Sequence, residues 1–154
     1  MRALYFFLAV ITAASLHAQT PNFHWITPVY CGIQNNTLLA GIADLETDAG
    51  GNTYITGEFR GQLDFGSGIT LSAPPNITAL FMAKFSAQGA PLWAKLAVPV
   101  SASGVSAFNG SEKLAVDGAG GVYWTANFKA NSVEFGDGVV INRHCTNDCQ
   151  EGFL

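Results

Sequence analysis

One stretch of this chain occurs twice, and that duplication limits the architecture more than any other feature. Asp48 to Gly68 reads DAGGNTYITGEFRGQLDFGSG, and from Asp117 the chain reads DGAGGVYWTANFKANSVEFGDG. Asp48, Gly51, Tyr54, Thr56 and Phe59 match Asp117, Gly120, Tyr123, Thr125 and Phe128 at an offset of 69. One inserted residue later, Phe65, Gly66 and Gly68 match Phe135, Gly136 and Gly138 at an offset of 70. A unit repeated at such a period buries its apolar faces against its neighbour, so the repeat speaks to construction and names no chemistry.

Each copy alternates. Thr53, Ile55, Gly57 and Phe59 fall on one face, and Tyr54, Thr56 and Glu58 on the other. The second copy sets Val122, Trp124, Ala126 and Phe128 against Tyr123, Thr125 and Asn127. Period-two alternation of β-branched and aromatic residues predicts strands. Short segments, 43–47 and 114–116, precede them across Asp48-Ala-Gly-Gly and Asp117-Gly-Ala-Gly-Gly. Asp folds back on its own backbone and Gly supplies positive φ, so both read as tight turns. A calcium cage through Asp48 and Asn52 is the sharper alternative, but Gly121 replaces the Asn in the second copy and a cage needs six or more oxygens.

One period holds four strand candidates, 43–47, 53–59, 80–85 and 91–97. Pro74-Pro75 marks 69–78 as a surface loop, and 26–40 reads as irregular. The fold class predicted is all-β, with antiparallel four-stranded units forming an incomplete β-propeller; another β-repeat or a sandwich is the alternative. No stretch supports a long amphipathic helix. The division is a leader over 1–18, an N-terminal strand and irregular segment over 19–42, a first repeat over 43–110 and a second, truncated one over 111–154. Gly152-Phe-Leu154 aligns with Leu80-Phe-Met82, inside a strand, so the chain reads as the N-terminal part of a longer protein with further repeats. On that reading Phe59, Phe128, Trp124 and Trp93 are expected to lose cover.

The motif Asp48, Gly51-Asn52, Tyr54, Thr56-Gly57, Phe59, Gly61, Asp64-Phe65-Gly66, Phe81-Ala83-Lys84, Gly89 and Trp93 resembles the SBBP repeat, a bacterial β-propeller repeat of secreted and cell-surface proteins common in the Bacteroidetes. The second copy departs from it at Gly121, Ala126 and Ala130. The resemblance implies an extracellular repeat domain without catalytic residues of its own.

Met1-Arg2 precedes an apolar run, 3–16, that ends at His17-Ala18-Gln19. A basic start, a short apolar core and a small residue before the cut predict a secretory leader cleaved after Ala18, hence a secreted or cell-surface location. No second apolar segment of membrane length follows. Only 12% of residues are charged and 17 are Gly, which suits sheet and turns. The net charge of −4 offers no basic patch for nucleic acid.

Chemistry is sparse. Cys145 and Cys149 flank Thr-Asn-Asp, with His144 adjacent; in an exported chain the spacing reads as a small disulfide, with zinc as the alternative. Cys31 is left over. Asp64-Phe-Gly66 matches a kinase triplet without any of its companions, and Glu134 takes the Asp64 position in the second copy. Trp25, Trp93, Trp124 and Tyr123 could stack on sugars or fill cores. No catalytic, cofactor or metal set emerges. The expected function is a non-catalytic extracellular scaffold or a module binding an extracellular protein or glycan. The alternative is the N-terminal part of a propeller-containing enzyme such as a glycan-active hydrolase.

Overall fold

A computed structural model of the chain describes residues 24–32, 40–74, 76–100, 108, 110, 112–145 and 149–154. The leader, and most of the segment between 100 and 112, lie outside the described residues. Those described are all-β, with antiparallel sheets and no helix. No closed ring of sheets is present among them.

The first unit is four strands in sequence order: β2 (Ala40–Thr47), β3 (Thr53–Phe59), β6 (Ala79–Phe85) and β7 (Pro91–Val100). β3 lies at the expected position, with Ile55 and Phe59 entering one core and Tyr54 the other. The segments read as loop and irregular are corrected: Gln62–Asp64 (β4) and Thr70–Ser72 (β5) form a hairpin inside the period, and Tyr30–Gly32 (β1) pairs with it. Pro74 falls two residues past β5, outside its ladder, and so does not prevent the strand. The hairpin turns on Phe65-Gly66-Ser67-Gly68, where Phe65 N donates to Ile69 O and Ile69 N to Gly66 O, both at 3.0 Å. Gly66, Ser67 and Gly68 all have positive φ, which is why glycine recurs there.

The second unit repeats these pairings at equivalent residues. β8 (Lys113–Val116), β9 (Val122–Phe128) and β12 (Glu151–Phe153) form one sheet, and β10 (Ser132–Glu134) with β11 (Val140–Asn142) repeats the hairpin. Gly57 opposes Phe81, and Ala126 opposes Phe153. The hairpin joins the outer strand of the unit before it: Tyr30–Gly32 pairs with β4 as Val98–Val100 pairs with β10. The strand β7 is thus shared, its first part on β6 and its last three residues on β10. Pro99, lacking an N–H, sits where β10 is the recorded neighbour of β7.

Two cores result. Ile55, Phe59, Leu63, Phe65, Phe81 and Phe85 fill the first. The second lies between the units, where Tyr54, Leu80 and Ala97 meet Leu114, Trp124, Phe128, Val133 and Phe153. The expectation that Phe59, Phe128, Trp124 and Trp93 lose cover is corrected. Phe59 and Phe128 are fully buried and Trp124 is 9% exposed, and Trp93 is half-buried with an edge contact to Tyr54. Within the repeated pair of tyrosines the contrast is sharp: Tyr123 is 52% exposed, whereas its counterpart Tyr54 is 1% exposed. The second unit closes over Tyr54; nothing described closes over Tyr123.

Candidate functional site

The repeated acids sit in turns. Asp48 Oδ1 accepts from the amides of Gly50 and Asn52 at 2.9 Å, and Oδ2 from Asn52 Nδ2 at 2.8 Å and Tyr54 OH at 3.2 Å. Lys84 Nζ lies 3.5 Å from Oδ2 and over the Tyr54 ring. The Asn52 side-chain bond, with the further donors, lowers the Asp48 carboxyl from 3.8 to about 2. Asp117 repeats the turn, accepting from Ala119 N at 2.9 Å, Gly121 N at 2.7 Å and Tyr123 OH at 3.3 Å. Gly51 and Gly120 complete the two turns with positive φ.

The depressed Asp48 value carries a pH consequence. A carboxyl whose folded pKa lies below its unfolded one stabilises the fold above the unfolded value, and that contribution is lost as pH falls through the folded one. Thermal melting is therefore expected to worsen between about pH 4 and about pH 2, and Asp48→Asn to flatten that decline. An unchanged pH profile in the variant would remove the turn from the acid response.

Elsewhere, Asp64 Oδ1 accepts from Gly66 N at 2.8 Å, at the mouth of the hairpin. Thr56 Oγ1 donates to the Phe81 carbonyl at 2.8 Å across the buried ladder. Phe135 packs edge-on to Trp124 and Phe153, and Trp25 stacks on Phe85. Among the four sugar-stacking candidates Tyr123 is the exposed one.

Cys145 and Cys149 form a disulfide, with 6.4 Å between their Cα atoms. Both thiols are consumed, so the zinc alternative built on them falls away. Glu151 Oε1 accepts from His144 N at 2.7 Å and Cys145 N at 2.6 Å, tying the ring to β12. Cys31 is a free, half-buried thiol.

The site that sequence reasoning missed lies between the units. A cavity of about 290 Å³ is bounded by the start of β2, by Gly110 and by two acids, Glu58 and Glu112. Glu58 ends the Tyr54-Thr56-Glu58 face of β3; Glu112 stands one residue before β8. Glu112 is 1% exposed, and neither carboxyl oxygen meets a hydrogen-bond donor from another residue. Burial raises the Glu112 carboxyl above its ordinary 4.5 and the Glu58 carboxyl adds to this, while the backbone N–H of Glu112 itself and Lys113 oppose it. Next to the pair, Asp44 of β2 accepts from Leu114 N at 3.0 Å and lies 3.6 Å from Lys113 Nζ, joining the first strands of the two units. Among the described residues no group of three or more His, Cys, Asp or Glu is placed to hold a metal ion.

The fold and site define an all-β protein of repeated antiparallel units, with a carboxylate pair at the seam. No family model, curated protein or solved structure matches the chain. No helix of the described residues is long and apolar enough to cross a membrane.

Proposed function

We propose that the chain is a secreted, propeller-like β-repeat module that acts as an extracellular scaffold or binds a protein or glycan, without catalysis. The observation that carries this reading is the equivalence of the two units: the same strands pair at the same register, down to the shared outer strand. Repetition of a pairing scheme without repetition of a reactive group fits a spacing and binding role. The Cys145–Cys149 disulfide supports export to an oxidising compartment. The open Tyr123 face supports docking of a further unit of the same kind, as the second unit docks on Tyr54.

The test is secretion followed by a glycan screen. The secreted chain is expected to begin near Gln19 and to retain polysaccharide or extracellular protein without turnover. Hydrolysis of a glycoside panel that disappears in Glu58→Gln would replace the module with an enzyme.

A further inference from the structure

We propose that the chain associates with itself head to tail, the Tyr123 face of one copy docking on the Leu45 face of the next. The further unit left unspecified by the reading above, on which this rests, is thereby the first unit of a second copy.

The chain carries its own template for the contact. At the seam, Tyr54 and Leu80 of the first unit pack with Leu114 and Phe153 of the second. Each half of that seam recurs uncovered in the other unit. Tyr123 repeats the buried Tyr54 and is open. Leu45 repeats Leu114 at the same offset of 69, standing opposite Ile55 as Leu114 stands opposite Trp124. It is 54% exposed, against 6% for Leu114. On the same strand, Ile42 bounds a hollow of about 240 Å³ that Leu63 and Phe81 also line. These two hold the places of the seam residues Val133 and Phe153. A ring such as that of Tyr123 suits an apolar hollow of this size. Charge agrees as well. Asp44 lies 3.6 Å from Lys113 across the seam, and Lys113 holds the Asp44 position in the second unit. Between copies the same two residues meet with their units exchanged, which fixes orientation more than it adds affinity.

The backbone matches too. Residues 24–29 run into β1 as the first part of β7 runs into Val98–Val100, at an offset of 68. In the first unit that part of β7 covers the edge of β6. β12 repeats β6, and among the described residues no strand lies on its outer edge. Laid there in the β7 register, Val29, Pro28 and Thr27 oppose Gly152, Phe153 and Leu154. Pro28 breaks no ladder bond in that place. It stands where Leu96 stands in β7, and Val100 O accepts from Asn131 N on the β10 side. By alternation Leu96 turns its N–H to that side as well, away from β6. A contact between unlike faces propagates into a filament or closes into a ring.

The experiment is sedimentation of the purified chain over about 1 µM to about 1 mM. The average mass is expected to rise with concentration past that of a dimer. Tyr123→Arg and Leu45→Arg each place a charge in the contact, and each should hold the chain monomeric. Both residues are more than half open to water, so the melting curves should stay near the parent's. Tyr123→Ser and Leu45→Ser serve if an arginine disturbs its strand. Mixing the two arginine variants is decisive, because one keeps a free Leu45 face and the other a free Tyr123 face. The mixture should form a one-to-one pair that grows no further. A parent that stays monomeric throughout overturns the proposal, and so does association that persists in both folded variants. A parent that stops at a dimer, with no pair in the mixture, marks a two-fold contact and refutes the head-to-tail one. The two readings fail separately: a monomer that still retains glycan loses only the assembly, and a chain that assembles while hydrolysing glycosides loses only the non-catalytic role.

Discussion

Replacing Phe128 with alanine is expected to destabilise the chain by about 3–5 kcal/mol, the usual loss when a buried aromatic is truncated. Phe128 is fully buried, and its backbone bridges to Phe108 and pairs with Glu151 of β12. Its side chain belongs to the core between the units, so the cavity left behind also withdraws support from Tyr54 and Leu80 on the first sheet. Against a domain stability of about 5–15 kcal/mol, a loss of that size removes about a fifth or more of the whole. Chemical denaturation should show it as a lowered midpoint with the two units still melting together, because one sheet contributes to both cores. Two separate transitions in the variant, with the first unit as stable as before, would mean that the seam is not the shared core described here.

The second large effect is expected at Gly57. A Cβ at this position would run into the carbonyl of Gly41 on β2, which is backbone and cannot rotate away. Gly57→Ala should therefore cost about 1–3 kcal/mol, the range for overpacking a closed interior, and Gly57→Val more. The second unit supplies the control, because Ala126 holds the same repeat position and is buried without difficulty. The difference lies in β2, which bulges between Ile42 and Asp44 and presses its Gly41 end onto β3. Ala126→Gly is expected to cost only about 0.5–1 kcal/mol through chain entropy, with some loss of packing. Melting curves of the two single variants check the asymmetry; equal losses would remove the bulge as its cause.

The central strands were legible because seven-residue elements give alternation room to register. Thr53–Phe59 and Val122–Phe128 each present several residues to either face; burial follows that division in Val122–Phe128, whereas Thr53–Phe59 is covered on both faces. The hairpins and β1 are three residues long, so each shows a single alternation, and in the first unit the nearby Pro74-Pro75 carries the stronger local signal. Even the direction of cover was misjudged: treating each unit alone leaves Phe128 and Trp124 open, whereas the face of the neighbouring sheet closes over them. The cysteine ring was legible from spacing, since four residues of separation leave little choice of partner once export is granted.

The carboxylate pair was not legible. Glu58 shows only as the polar end of an alternating strand, and Glu112 as one acid in a Ser- and Gly-rich stretch. They line one cavity because β3 and β8 come together, a contact between units that no local pattern encodes. A hint was present in the composition: where only 12% of residues are charged, an acid directly before a strand start is unusual.

The sharing of β7 has a mechanical consequence. In an array whose units meet only through side chains, a pulling force can detach them one after another, each step breaking a modest contact. Here Val98, Pro99 and Val100 belong to the backbone of one unit and the ladder of the next. Tension along the chain therefore loads the hairpin hydrogen bonds and the apolar seam together, and neither can yield before the other. A tether built of such units should give way in whole blocks, at higher force, and would suit a protein that must hold its length while something tugs on it.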